Sequence, residues 1–498
     1  MGATKSKNKH KLTTFVNQYW WLVFLIIIVL AIAVRLYGIT RASIWHDEGF
    51  TAMLAARDWS AIWQGSARDV HPPLYYELLH GWTLLFGQSA LVLRSLSALA
   101  GVVVVGLGMI LTKKISNKNT ALVAGLILAL NPFLIRYSQE ARMYGVLGVF
   151  LLVAVLGVIY MLDKPRSWLG YVLYSLGIAA GLYTHYFTVL AVFAIWLYVI
   201  GLNRLNSKSR LIFDYRWWLA NAIALVLFLP WIPNMIAQLT RGQGLGWLPR
   251  ASIQTFHDTI WQFFTFTDAH KLTAIIYWFI PLLVIVACIY VWSSDKTKYK
   301  YSRLIILFSF VPILLAIIVS FFRPVFHERY FAFAVIGICI IIALAIMNIA
   351  KQRLWLASTI TVLLLFTQLI GIRNVNSQAS HNMQSVMSEL NNQFKSGDVI
   401  VAGELYVYFD GSFYNTTNQK ILLFTGNGQP NGFGESGLIY DRDVYLNSLG
   451  DLKGEVTGRV WIIGKTGDQA YYKQIPSNWQ LLATYQAGYS EVRLYQIQ

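Results

Sequence analysis

Trp45-His46-Asp47-Glu48 stands just past an apolar run, residues 19–39, that closes around Arg35. Two adjacent carboxylates beside a bilayer are costly unless they are paired or used. A carboxylate there can take the proton of an incoming hydroxyl, a service worth roughly 10²–10⁴ in rate. The plainer reading is the start of an interfacial helix, with Asp47 as its cap. Which reading holds depends on what surrounds the motif.

The surroundings are lipid-soluble. The chain has 498 residues, of which 56% are hydrophobic and only 13% charged. Soluble domains carry about 25% charge, so an ordinary soluble enzyme is excluded. Aromatic residues at 15% exclude a disordered chain. The net charge is +17, yet residues 376–498 hold eight basic and eleven acidic side chains, so the surplus lies before residue 376. There it flanks apolar segments, as stop-transfer charge and anionic-lipid contacts require, and no nucleic-acid partner is expected. Cys288 and Cys339 both lie inside apolar runs and suggest neither a disulfide framework nor a metal site.

A membrane span needs about 20 apolar residues. Candidates are 19–39, 91–111, 119–137, 140–162, 168–202 (long enough for two), 217–233, 272–292, 303–321, 328–349 and 353–371. Basic residues at the N-terminus (Lys5, Lys7, Lys9, Lys11), at 203–216 and at 295–303 belong in the cytoplasm. The tail falls outside, so the number of spans is odd, and eleven is expected. Either 168–202 is a single kinked helix or the short segment 71–87 does not cross; Lys113, Lys114 and Lys118 favour the second. The expected organisation is a basic cytoplasmic N-terminus at 1–18, a transmembrane domain at 19–373 with outer loops 40–70 and 234–271, and an extracytoplasmic α/β domain at 376–498. In loop 40–70, Trp45, Phe50, Trp59 and Trp63 recur at helical spacing, as in helices lying on a membrane surface. In the tail, 381–394 reads as a helix and 398–402, 420–424, 459–463 and 491–497 as strands, with a turn at Gly426-Asn427-Gly428.

A second motif is Asp69-Val70-His71-Pro72-Pro73-Leu74-Tyr75-Tyr76. The prolines start a helix and leave His71 at its mouth, where backbone N–H groups and an imidazole suit a phosphate; a surface histidine at a helix start fits equally well. Arginines form a third set: Arg35, Arg94, Arg136, Arg142, Arg323 and Arg329 all lie near predicted membrane boundaries. A guanidinium grips phosphate at two points, but it can also snorkel to lipid head groups. Glu77 with His80, His185 with Tyr186, and His327 beside Glu328 complete the ionisable candidates. The chain has no Walker loop, dinucleotide glycine motif, nucleophile elbow or metal-ligand spacing.

The order Arg35, Trp45-His46-Asp47-Glu48, His71-Pro72-Pro73-Leu74-Tyr75-Tyr76, Gly87 and Arg94-Ser95-Leu96-Ser97 resembles membrane glycosyltransferases of the GT-C fold. The protein O-mannosyltransferase-like and aminoarabinose-transferase-like groups are the most similar. Tyr137-Ser138-Gln139-Glu140-Ala141-Arg142-Met143-Tyr144 and Glu328-Arg329-Tyr330 extend the resemblance. It implies transfer of a sugar from a polyprenyl-phosphate carrier to a hydroxyl on the outer face of the plasma membrane, with inversion. Asp47, with Glu48 beside it, would be the base. Arg35, His71, Arg94, Arg329 and either Arg241 or Arg250 would meet the carrier phosphate, and Trp45, Tyr75, Glu77, Arg142, His185 and His327 are further candidates. The aminoarabinose-transferase group has a lysine where His71 stands; the O-mannosyltransferase group has a histidine. The resemblance implies no required cofactor or metal. A transporter or flippase for a lipid-linked sugar is the alternative.

Overall fold

The computed structural model describes residues 18–205, 211–241, 248–267, 274–377, 382–426, 437–439, 442–452, 458–467 and 472–497. Nearly all of the basic N-terminus, Lys208, Arg210, the glycines at 242, 244 and 246 and part of the predicted turn at 426–428 lie outside them. The chain forms two compact units: residues 1–37, 95–235 and 245–377, and residues 38–94, 236–244 and 378–498. Loop 40–70, expected within the transmembrane domain, therefore groups with the tail.

The first unit is a helix bundle: α1 (Trp20–Leu36), most of α5 (Ala90–Ile115), α6 (Lys118–Leu130), α7 (Pro132–Ser138), α8 (Tyr144–Asp163), α9 (Leu169–Thr184), α10 (Thr188–Leu205), α11 (Tyr215–Phe228), and the first residues of α12 (Ile232–Arg241). It continues with α13 (Ile253–Thr265), α14 (Ala274–Ser294), α15 (Tyr301–Ser320), α16 (Ala332–Ala350) and α17 (Leu354–Ser377). Among the described residues, six helical segments are long and apolar enough to cross a membrane, and the bent pair α6/α7, taken as one span, makes a seventh. Shorter apolar helices at Trp20–Leu36, Leu169–Thr184, Thr188–Arg204 and Trp278–Ser294 fill the remaining expected positions.

Segment 168–202 is two helices. Tyr171 and Ser175 of α9 donate to Asp214 and to the Ala220 carbonyl, and Tyr183 to the Leu227 carbonyl, so α9 and α11 run in the same direction. Trp196, in mid-α10, donates to Asn221, in mid-α11. Two crossings here leave the segment around residues 71–87 as a 13-residue helix outside the bundle count. Helices α8 and α9 pack at backbone distance: a Cβ on Gly157 would lie 2.7 Å from the Gly170 carbonyl oxygen, the small-residue contact that membrane helices favour.

One break matters for the site. Pro132 has no N–H for the Leu128 carbonyl and bends α6 from α7 by 58°. Asn131 caps the new helix by accepting from the Leu134 N–H at 3.0 Å, while its own amide donates to the Phe263 carbonyl.

The second unit holds α2 (His46–Ala55), α3 (Trp59–Arg68) and α4 (Leu74–Phe86), together with the tail elements α18 (Met383–Gln393) and α19 (Leu405–Tyr414). Its sheet comprises β1 (Val399–Ala402), β2 (Ile421–Phe424), β3 (Tyr445–Leu446), β4 (Arg459–Lys465), β5 (Gln480–Ala487) and β6 (Ser490–Gln496), in the order 3-2-1-4-6-5. Strands β1–β4 are parallel, and β6 and β5 close the edge antiparallel. The order of strand addition switches sides at β1, with β2 and β3 on one side and β4 on the other, and α19 follows the C-terminal end of β1. Val401, Val460, Ile462 and Trp479 form an apolar core against the sheet.

Candidate functional site

In the second unit, the β-region backbone of Trp45 leads into α2 and places Asp47 and Glu48 in its first turn. The helix N-terminus favours negative charge. The two neighbours nevertheless have different partners. Glu48 is wholly buried: Arg94 Nε reaches its Oε1 at 2.8 Å and Arg94 Nη2 its Oε2 at 2.5 Å. Arg94 also donates to the carbonyls of Ile39, Ala42 and Ser43 at 2.7–3.0 Å. This guanidinium, expected at the carrier phosphate, ties down the loop that precedes α2. Asp47 keeps 10% of its side chain exposed, with His46 Nε2 2.8 Å from its Oδ1. Buried ionic bonds occupy Glu48, whereas Asp47 keeps the more accessible carboxylate of the two.

His71 lies at the head of α4 as expected, its Nδ1 3.1 Å from Asp69 Oδ2, an acceptor that Tyr76 also reaches at 3.4 Å. Tyr75 is fully buried. Glu77 does not pair with His80; the His80 imidazole bonds the Ala55 carbonyl instead, at 2.8 Å. Arg241 donates to the Ala67 carbonyl and Gln238 to the Ser66 carbonyl, which fixes the end of α12 on the last turn of α3, next to Asp69. Arg250 belongs to the other unit.

In the first unit, Arg35 is fully buried among the helices. Its guanidinium donates to the carbonyls of Ala129 at 3.2 Å, Ala31 at 3.3 Å and Leu128 at 3.5 Å. Leu128 O is the acceptor that Pro132 left without a donor, and Ala129 is the next residue along. The second arginine expected at the phosphate thus closes a broken helix. It also lines a small void with Gly101, Tyr137, Ser138 and Tyr144. Gln139 donates to the carbonyls of Arg35 and Tyr37, Arg136 pairs with Glu140 at 2.8 Å, and the carbonyl of buried Arg142 accepts from Ser97 at 2.9 Å. His327 caps the turn carrying Glu328 and Arg329. The His185 ring lies 5.2 Å from Tyr330, which also neighbours Tyr144, Phe187 and His327. The Tyr137 hydroxyl lies in the field of Glu140, Glu328, Arg329 and Arg136. Among the described residues, no group of three His, Cys, Asp or Glu side chains is arranged to hold a metal.

Residues 70–233 match the family dolichyl-phosphate-mannose-protein mannosyltransferase. In structure the chain is similar to ArnT from Cupriavidus metallidurans in the apo state, with a TM-score of 0.68 at 11% identity over 96% of this chain and 98% of that one. The chain has the GT-C fold. The same ArnT bound to undecaprenyl phosphate gives 0.62 at 12% identity, over 96% and 98%. The archaeal oligosaccharyltransferase AglB from Archaeoglobus fulgidus, in complex with an inhibitory peptide and a dolichol-phosphate, gives 0.59 at 11%, over 90% of this chain and 70% of that one. No curated protein matches the chain by sequence. A GT-C chain is a multi-pass membrane protein, in agreement with the apolar helices above.

Sequence reasoning placed Asp69 in the motif with His71 but gave it no role, and in the structure its carboxylate lies against the imidazole. It missed Gln139 as the brace of the first span's end. It also missed all of α19, whose composition, Leu405-Tyr406-Val407-Tyr408-Phe409, reads as a strand.

Proposed function

We propose that this GT-C chain transfers a sugar from a polyprenyl-phosphate carrier to a hydroxyl acceptor on the extracytoplasmic face of the plasma membrane. Asp47 accepts the hydroxyl proton. The acceptor oxygen bonds to the anomeric carbon with inversion as the bond from that carbon to the phosphate oxygen breaks, and polyprenyl phosphate leaves. The observation that carries this reading is the unequal treatment of two neighbouring carboxylates. Glu48 is spent on Arg94, whereas Asp47 is partly exposed and hydrogen-bonded to an imidazole.

The leaving phosphate is a developing anion, which nearby cations stabilise. Arg94 is committed to a buried carboxylate and three carbonyls, so within the unit that holds Asp47 this task goes to His71 and Arg241. No metal is needed on this route, and transfer is expected to continue in EDTA. The family match over 70–233 makes a mannosyl carrier the first donor to test and aminoarabinose the second. On this reading the N-terminus lies in the cytoplasm and the tail domain outside, as the positions of the basic residues suggest.

The test is Asp47→Asn. Purified protein with a labelled polyprenyl-phosphate sugar should lose roughly 10²–10⁴ in turnover while still binding the carrier. Wild-type turnover in that variant removes Asp47 as the base.

A further inference from the structure

Asp410 is an acid for which the reaction has no use. It sits on α19, is 5% exposed, and its Oδ1 meets no hydrogen-bond partner. An unpaired carboxylate in such a place is expensive, so the surroundings explain why the residue is tolerated. Helix α19 lies directly against α2. A Cβ on Gly49 would fall 2.8 Å from the Phe409 carbonyl carbon and 2.9 Å from its oxygen, so the two helices meet backbone to backbone. Around this contact the Tyr414 hydroxyl accepts from the Ile44 N–H at 2.8 Å, Ser43 Oγ accepts from the Gln384 N–H at 3.2 Å, and the His46 and Tyr406 rings lie 4.5 Å apart. The residue that follows Phe409 in the chain is Asp410. The residues that precede Gly49 are Asp47 and Glu48.

We propose that Asp410 is a positioning residue for Asp47: an uncharged carboxyl from the tail domain that lets α19 seat α2, and that unseats it when ionised. The inference rests on the role given to Asp47 above.

The charges acting on Asp410 are all of known origin. From α2 come Glu48 and Asp47, both negative; from the head of α19 comes Glu404, also negative; from the end of β4 comes Lys465, which opposes them. Lys465 is itself shared, being paired with Glu404 and lying over the Tyr406 ring. Strands β1 and β2 carry no ionisable side chain, and Glu389 of α18 is exposed. Burial first, and then the neighbouring carboxylates, push the Asp410 carboxyl well above the ordinary aspartate range. The sign follows. A folded-state value above the unfolded one means that stability is intact below the unfolded value and is lost as pH rises through the folded one. Ionisation adds a third negative charge behind Asp47 and Glu48, and the contact at Gly49 has no room to relax around it.

The experiment is hydrogen–deuterium exchange of the segment 46–55, corrected for intrinsic rate, from about pH 6 to about pH 9, in full-length wild type and Asp410→Asn, with sugar transfer measured in parallel. In wild type, protection of 46–55 should fall with rising pH, approaching tenfold per pH unit once the acid ionises. In Asp410→Asn it should stay flat, and at the alkaline end the variant should transfer several-fold faster than wild type. Parallel protection curves overturn the proposal, as does diverging protection with superimposable kcat–pH profiles in an active enzyme. If wild type transfers no polyprenyl-linked sugar, the functional reading fails, and the exchange curves still decide whether Asp410 seats α2.

Discussion

Replacing Arg94 with Met tests the division of labour between Glu48 and Asp47. The change keeps a long apolar stem and removes the guanidinium. Glu48 is then left ionised with none of its side chain exposed, and the carbonyls of Ile39, Ala42 and Ser43 lose a donor. Removing one partner of a buried ion pair costs about 3–5 kcal/mol, and each lost hydrogen bond about 0.5–1.5 kcal/mol. Together the cost is on the order of 5–8 kcal/mol. At about 2–4 °C per kcal/mol for a unit of this size, the unfolding midpoint should drop by roughly 10–30 °C. Glu48→Gln keeps the cation bonded to three carbonyls and an amide oxygen and should cost only about 2–3 kcal/mol. Glu48→Gln combined with Arg94→Met leaves no buried charge and should be more stable than Arg94→Met by about 2 kcal/mol. Thermal unfolding in detergent, followed by the fluorescence of Trp45, Trp59 and Trp63, measures all three. An Arg94→Met midpoint within about 3 °C of wild type, or a double variant less stable than Arg94→Met, refutes the internal role given to this pair.

Gly49→Ala places a methyl group against the Phe409 backbone and should cost about 1–3 kcal/mol by overpacking, read as a lower midpoint with reduced kcat. Arg241→Ala removes a cation assigned to the carrier phosphate. At about 1.5–3 kcal/mol for a charged hydrogen bond, the donor KM should rise about 10- to 150-fold, and a rise under about threefold argues against that assignment. Asp398 behaves oppositely to Asp410. Burial works against its charge, but hydrogen bonds from Arg459, the Lys395 N–H and the Trp461 indole hold its carboxyl below the ordinary range. Its contribution to stability is present above about pH 4 and is lost as pH falls through the depressed value; Asp398→Asn should destabilise the tail domain at neutral pH and flatten the acid limb of its unfolding curve.

The bundle was legible because lipid imposes a simple rule: apolar runs of about 20 residues with basic flanks. The pair of crossings inside 168–202 was visible as length, but its split at His185 was not, because no proline or glycine marks the break. The strands at 398–402, 420–424, 459–463 and 491–497 each fall within a residue or two of β1, β2, β4 and β6, since the buried parallel strands β1, β2 and β4 carry short apolar runs and antiparallel β6 alternates in its middle. Strand β5 lies at the sheet edge with an exposed pattern and gave no such signal. The helix α19 was hidden for the converse reason. The helix packs between two neighbours, the sheet and α2, so the run Leu405–Phe409 is apolar without interruption and shows no helical stripe. Within the site, the motifs named candidate residues but not their partners, because Glu48–Arg94 and Arg35–Leu128 are separated by 46 and 93 positions.

That separation bears on how the arginines should be ranked. Five cations were candidates for one phosphate, and a membrane enzyme has reasons other than catalysis to keep buried guanidinium groups. A broken helix strands carbonyls, and a loop that turns back at the interface strands more; without water, something must donate to them. Arg35 serves the first need and Arg94 the second. The two are not equally committed. Arg94 makes five bonds of 2.5–3.0 Å, two of them to a carboxylate, so a phosphate would have to displace a buried anion to reach it. Arg35 makes three bonds of 3.2–3.5 Å to neutral carbonyls, and its Nε has no partner among the described residues. An anion entering the void beside Gly101 would compete with weaker acceptors there. Of the two arginines taken from the motif, Arg35 therefore retains donor capacity and Arg94 does not.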